Sequence, residues 1–560
     1  MRIRFVIYLV IIISVFSTVL SARLMTGHLV IANGERVQMS PYSNSTVLLI
    51  PLDSRPPCTQ YVEQLAAIAG ISMLTPPSDI LDNYKVPAKR QDLREWFLKN
   101  ATTSDTAIVS IDMLIHGGLL ASRLGLGTQI DEREAIDLLR RAKKENPRLQ
   151  LYVFSIIPRL IIADTAEYQS YQKNITKYSL QKDLLLTFEN PLDYDKFQEL
   201  QSKLPPNIIN RYESLYNVNK NFNYTLLNLV KEGIIDSLVV GQDDGSTFGI
   251  PNWTKAAVSH YAEQLQIMDR VFITRGTDEV ALTILGHIAA KRANYSPKIY
   301  VHYSHPDAAS VVMPFMPHSV DTTVTEKVHM IGGKRTPSLE QADFILYVHI
   351  GTHELNGYTY ESSAKDIRAM LEAGNKVAVV DLTEDYYASQ TLLPWLLKNN
   401  IPLLQLSAYA GWNTTSNSIG TAVSQLAVLG SNPTRKLSKE KALTVWSANT
   451  EFLLSRILDD WYFQKDIQPI LNSSLRKSGF DPYNLGLIQH ETNQSLQKQL
   501  RGRSQYLFRR HIAHTPVIIE TSERPVQIII SDLTLYASLP WDRTFEVRLK
   551  PELEIVEVKR

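Results

Sequence analysis

Six apolar runs in this chain each end in charged or strongly polar residues, and those endings hold the side chains able to do chemistry. The run from Val47 leads into Asp53 and Arg55, and the run from Ala107 into Asp112. Ser237 to Gly241 is followed by Gln242, Asp243 and Asp244, and Val271 to Thr274 by Arg275, Asp278 and Glu279. Phe344 to Val348 leads to His349, His353 and Glu354, and Val377 to Val380 leads to Asp381 and Glu384. Such runs read as buried parallel strands, and in α/β proteins ligands bind outside the carboxyl ends of those strands. One carboxylate there is ordinarily a helix cap or half of an ion pair. Several together point to a polar pocket, because a buried charge is costly unless something pairs with it.

The sharpest of these endings is Gln242-Asp243-Asp244-Gly245. Adjacent carboxylates repel, so one holds its proton more tightly than usual. That arrangement places a protonated acid beside an ionised one near neutral pH. Asp244 is expected as the acid and Asp243 as its orienting or charge-stabilising partner. Asp278 and Glu279 form a second pair at a strand-to-helix junction, where Asp278 would also serve as a helix cap.

The other candidates are substrate-binding. Asp53 and Arg55 precede Pro56, which disfavours a helical Arg55 and makes the segment an extended turn. Asp112 is followed by His116, Gly117 and Gly118, then by Ser122 and Arg123. The double glycine allows close backbone approach. Arg275 opens the second acidic pair. Trp412, Asn413 and Asn417 combine an apolar face with amide groups, the material of a sugar platform. His302, His305, His349 and His353 lack any zinc spacing. No metal-ligand set is assigned and no cofactor is expected, although the carboxylates could take a divalent cation. Neither a phosphate-binding glycine loop nor a Gly-x-Ser-x-Gly elbow is present.

Strands that end in this way require a scaffold. From residue 46 onward, short apolar runs alternate with helix-period segments, the pattern of a parallel sheet with helical crossovers. The strands are too numerous for one simple open sheet, and two layouts fit. One is a (β/α)-barrel-like unit over 45–310, slightly preferred, with a second α/β unit over 311–430. The other is a pair of open, doubly wound units meeting at a cleft. A polar stretch at 165–222 reads as a helical insertion over the strand ends. Residues 435–512 read as helical, with Trp446, Phe452, Leu453, Ile457 and Trp461 as core. Residues 513–560 alternate with period two and predict a small antiparallel β region.

The 560-residue chain is 44% apolar with a net charge of +1. That balance, with no basic run, argues against nucleic-acid binding. Arg2 and Arg4 precede an apolar stretch from Phe5 to Leu20, so residues 1–22 are expected to be a secretory signal, or otherwise a membrane anchor. Either places the rest outside the cytosol. Sequons at Asn44, Asn100, Asn174, Asn223, Asn252, Asn294, Asn413, Asn472 and Asn493 agree with a glycosylated protein. Cys58 is the only cysteine, so no internal disulfide forms, and it reads as a packed residue.

Six segments together carry a family resemblance: Ile50 to Pro56, Ser110 to Arg123, Gly241 to Asp244, Gly276 to Glu279, Ala410 to Thr414, and Pro540 to Glu546. Over about residues 46 to 550 the chain resembles the domain-of-unknown-function family DUF4127. The resemblance implies that these six segments belong to one unit, and it carries no activity with it.

From the residues themselves, the expected function is a secreted glycoside hydrolase acting on a carbohydrate or glycan through paired Asp residues, with N-acetylhexosaminides as one substrate class. The alternatives are a metal-dependent hydrolase of phosphate or amide bonds, with Asp53, Asp112, Asp243 and Asp278 as ligands, and a non-catalytic carbohydrate-binding protein.

Overall fold

The computed structural model describes residues 34–36, 45–161, 169–355, 357–513 and 515–558. The expected signal segment and Asn44 lie outside them. Three sheets form. A short strand, β1 (Gly34–Arg36), is taken up later by the C-terminal sheet.

The first sheet contains β2 (Ser45–Ile50), β3 (Ile71–Leu74), β4 (Thr106–Ser110), β5 (Gln150–Ile157), β6 (Ser237–Gln242) and β7 (Val271–Arg275). All pair in parallel, in the order β3-β2-β4-β5-β6-β7. Helices cover both faces, so Val47, Leu48, Leu49 and Ile50 are all fully buried. This explains their continuous apolar run. β3 and β7 are the edges of the sheet, so the first unit is open and doubly wound and does not close as a barrel. The chain leaves β2 for β3 and then returns to β4 on the other side. Sheets of this class place ligands near such a reversal.

The second sheet contains β8 (Lys298–Tyr303), β9 (Lys334–Arg335), β10 (Phe344–Gly351), β11 (Val377–Thr383) and β12 (Ala408–Ala410), in the order β12-β11-β10-β8-β9. β8 was expected within the first unit but pairs with β10, so the second unit begins near residue 298. β12 is preceded by a 3-10 turn at Leu403–Gln405.

The polar insertion folds as three helices, Gln172–Phe188, Pro191–Ser202 and Pro206–Lys231. They clamp the strand-end loops: Tyr212 and Tyr216 donate to the carbonyls of Leu160 and Arg159 at 3.1 and 2.8 Å. Asp183 accepts from the Gly249 backbone at 2.7 Å. Asn223 lies in the third helix with no exposure, bonded to Asn219, so this sequon cannot carry a glycan in the folded chain. Of the described sequon asparagines only Asn294 is fully exposed.

The helix Lys439–Ile457 continues through a π-helical stretch, Leu458–Ile467, into Gln468–Lys477. Phe452, Leu453 and Ile457 are buried as expected, and Trp446 and Trp461 pack at the edge of the core. The C-terminal sheet has the order β1-β15-β14-β13, with β13 (Val517–Ile519), β14 (Val526–Ser538) and β15 (Arg548–Val558). Gln60 ties it to the first unit: its amide donates to Leu549 O at 2.6 Å and accepts from Leu549 N at 3.3 Å.

Candidate active site

The loop after β2 begins with a buried charge knot. Pro56 and Pro57 open a 3-10 turn and leave Arg55 extended, with φ −64° and ψ 153°. Its guanidinium then turns back on Asp53 through Nε at 2.9 Å and Nη2 at 2.7 Å. Nη2 and Nη1 also reach Asp278 at 2.6 and 3.3 Å. Glu546 approaches Nη1 at 3.8 Å, and the Trp541 ring centroid lies 5.7 Å away. Burial alone would lower the Arg55 pKa, yet the charges of Asp278 and Asp53 hold it well above the ordinary value. Burial raises Asp278 to about 6 against the pull of Arg55. Asp53 and Asp278, expected to face a substrate, instead face each other across this guanidinium.

Ligand atoms of Asp53, Cys58 and Asp278 lie within 4.8 Å of one another, the one such set among the described residues. Arg55 already supplies the cation between its two carboxylates. Burial, followed by the charges of Asp53 and Asp278, pushes the Cys58 thiol well up, as suits a packed cysteine.

Glu279 fastens the two α/β units together. One oxygen accepts from Lys327 at 2.7 Å and from the Ser416 hydroxyl at 2.6 Å. Lys327, fully buried, also donates to Arg275 O at 2.5 Å. Gly276 makes this approach feasible: its φ is +98°, and a Cβ there would lie 1.9 Å from the Glu279 carboxylate. The other Glu279 oxygen and the Asn417 amide oxygen have no partner. Both residues line a cavity of about 10 Å³, together with Arg456 and Asp460. That space suits a single water. Arg456 bonds Asp459 at 3.1 Å and Asp460 at 2.9 Å and lies 3.5 Å over the Tyr61 ring. Glu279 and Asn417 are therefore internal to the joint between units, away from open solvent.

The loop after β6 is arranged differently. Asp243 is 3% exposed and receives Arg123 Nε and Nη2 on one oxygen, each at 2.7 Å. Its other oxygen accepts the Asp244 backbone N–H at 2.8 Å. Asp244 is half-buried and has no salt bridge among the described residues. Burial and the neighbouring Asp243 raise it to about 7, against the pull of Arg123 and Arg159. The two adjacent carboxyls thus have different partners: Asp243 is held by Arg123, and Asp244 forms no salt bridge among the described residues.

The crevice beside this pair is small, about 10 Å³, and two aromatic side chains stand near it. Phe315 lines it beside Asp243 and Asp244, and Phe315 O accepts from Gly245 N at 3.0 Å. Phe315 and Tyr386 have φ of +63° and +61°, conformations costly for residues with a Cβ, and such residues gather at functional sites. Their ring centroids are 6.5 Å apart, and the side chains are 43% and 36% exposed. Burial and the nearby Asp244 charge push the Tyr386 hydroxyl up to about 12. Lys465, on the π-helical stretch, donates to Tyr386 O at 3.0 Å.

The remaining candidates divide. Asp112, His116 and Arg123 line a separate cavity of about 290 Å³ under the helix Pro206–Lys231. Arg275 directs its guanidinium to Glu326, away from the acidic pair. Trp412 is 6% exposed and packs edge-on against Phe545 at 6.2 Å, so it is core and offers no sugar platform. Asn413 follows it with φ +59° and is half-buried. His349 is buried with a ring nitrogen 3.2 Å from Gln390 O, and His353 pairs with Asp385 at 2.7 Å.

The family model described as "Protein of unknown function (DUF4127)" matches residues 47–550. The chain belongs to the DUF4127 family. No curated protein and no solved structure matches it significantly. In this DUF4127 protein the matched span covers both α/β units, the helical region and most of the C-terminal sheet, so the charge knot and the Asp243–Asp244 crevice lie within one family unit. Sequence reasoning missed Phe315, Tyr386, Arg159, Lys327 and the Arg456 cluster. Phe315 carries a faint signal, because it sits in Met-Pro-Phe-Met-Pro, a segment too rich in proline for a helix or strand interior. Arg456, Asp459 and Asp460 are spaced i, i+3 and i+4 on what reads as an ordinary exposed helix face.

Proposed function

We propose that this protein is a hydrolase of glycosidic bonds that works at the Asp243–Asp244 crevice. The observation that carries the reading is the unequal treatment of two adjacent carboxyls. Asp243 is held by Arg123 and the Asp244 N–H, while Asp244 is half-buried and holds its proton to about 7. A glycosidic leaving oxygen needs a proton donor near neutral pH, and the positive charge developing on the sugar needs a fixed anion. Asp244 fits the first role and Asp243 the second. In an N-acetylhexosaminide, Asp243 would orient the substrate's own amide as nucleophile. The exposed rings of Phe315 and Tyr386 supply the apolar stacking surface once assigned to Trp412.

The N-terminal basic–apolar stretch supports a place outside the cytosol. Metal-dependent hydrolysis finds less support, because Arg55 occupies the centre of the one cluster with metal-ligand spacing among the described residues. The test is a screen of the purified protein on chromogenic glycosides, including N-acetylhexosaminides. Turnover that Asp243→Asn abolishes, and that Asp244→Asn reduces chiefly on glycosides with poor leaving groups, supports the reading. Glycan binding that survives both substitutions, with no turnover, would assign the protein to non-catalytic carbohydrate recognition.

A further inference from the structure

We propose that the cavity beneath the helix Pro206–Lys231 is a second ligand site, one that takes a small organic carboxylate with an apolar body and is coupled to the catalytic pair through Arg123. The proposal stands on the cavity and on the position of Arg123, independently of which bond the enzyme cleaves. The cavity holds about 290 Å³ and opens at the carboxyl ends of β4 and β5, where this class of sheet binds ligands. It shares no lining residue with the Asp243–Asp244 crevice.

Arg123 forms the wall between the two. Its Nε and Nη2 hold Asp243, while Nη1 has no hydrogen bond among the described residues. A guanidinium presents five N–H donors in a planar fork, so the unused end can receive a second anion while the first is held. Arg211 adds another cation to the lining. The acidic groups there are Asp112 and Glu132. Burial raises both, Asp112 to about 7, so near neutral pH Asp112 can offer a carboxyl O–H as donor. His116 accepts the Gly127 N–H on Nδ1, which leaves its proton on Nε2. The lining therefore offers an anion Arg123, Arg211, the Asp112 carboxyl and the His116 Nε2–H, with Glu132 as an opposing carboxylate. Ile115, Leu215 and Phe222 supply the apolar remainder. Donors at one end and an apolar wall at the other select an amphipathic anion over an inorganic one.

Because one guanidinium serves two anions, the sites compete for it. An occupant drawn to Arg123 weakens its hold on Asp243, and reciprocally the loss of the Asp243 charge strengthens binding in the cavity.

The experiment is calorimetric titration of the full chain with phenylacetate and with neutral phenylacetamide. Phenylacetate should bind saturably, with the amide weaker by about ten-fold or more. Leu215→Trp and, separately, Val218→Phe fill the cavity from the covering helix and should abolish binding. Thermal melting of the unliganded variants shows that the fold persists, and two variants guard against one failing to fold. Phe315→Ala, in the crevice, should leave binding unchanged. Asp243→Asn should tighten phenylacetate by roughly three- to ten-fold. No saturable binding up to about 10 mM, equal affinity for the amide, or undiminished binding in a folded cavity-filled variant would overturn the site. Unchanged affinity in Asp243→Asn would overturn the coupling.

Discussion

Arg123 donates its Nε–H to one oxygen of Asp243 at 2.7 Å, and its Nη2 lies 2.7 Å from the same oxygen. Asp244, the next residue, receives no such cation, and burial beside a fixed negative charge keeps its proton in place to about 7. Two identical side chains one peptide apart are thereby given different chemistry by their partners.

This has a consequence for stability. Asp244 and Asp112 each rise from 3.8 to about 7, chiefly through burial. The folded state then binds these protons more tightly than the unfolded chain. Their stabilising contribution is complete below about pH 4 and is lost as pH rises through about 7. Asparagine cannot ionise. Asp244→Asn and Asp112→Asn should each melt higher than wild type at pH 8, by roughly 2–4 °C, and show no such gain at pH 5. A gain of equal size at both pH values would contradict the assignment.

Arg55 is expected to be the least replaceable residue of the site's frame. Arg55→Ala leaves Asp53, Asp278 and Glu546 buried without their shared cation, at a cost of about 3–5 kcal/mol. Arg55→Lys should recover only part, because an ammonium cannot fork between Asp53 and Asp278. Denaturant titration reads both, and a wild-type midpoint for Arg55→Ala would show that the knot is not structural.

The aromatic residues should separate by role. Trp412→Ala opens a hole against Phe545 and should cost about 3–5 kcal/mol of stability. Phe315→Gly and Tyr386→Gly should cost little stability, since glycine relieves their left-handed backbone, and should instead weaken substrate binding by about ten-fold. The reverse pattern, in melting and KM, would return the platform to Trp412.

Chelation should leave turnover intact, because the Arg55 guanidinium already neutralises Asp53 and Asp278 where a metal would sit. Loss of activity with a chelator, restored by a divalent cation, would favour the metal-dependent alternative.

Much of this scaffold is legible in the chain. Strands buried on both faces must be continuously apolar, so β2, β4, β6, β10 and β11 announce themselves, and the polar residues that end β2, β4 and β6 lead to the charge knot, the cavity and the crevice. The Asp243–Asp244 pair is visible as adjacent carboxylates, but burial, which the sequence does not show, raises Asp244 more than their repulsion does. What a linear reading cannot give is direction. Trp412 and Asn417 read as binding residues because nothing nearby reveals Phe545 or the Glu279 cavity. Arg123 and His116 do line one cavity, but nothing local shows that the Arg123 guanidinium also reaches Asp243, 120 residues on. A closed barrel and an open sheet share the same alternation of runs. The choice was made by β3 pairing outside β2, a relation between residues that no local period encodes.

The most direct test of the account compares Asp243→Asn and Asp244→Asn on two glycosides of one sugar, one with an activated aryl leaving group and one with a poor leaving group. If Asp244 is the proton donor, Asp244→Asn should lose about 10²- to 10⁴-fold on the poor leaving group and little on the activated one. Asp243→Asn should lose rate on both, because the charge it stabilises develops in either case. Wild-type rates for both variants on both substrates would show that this pair is not the catalytic centre.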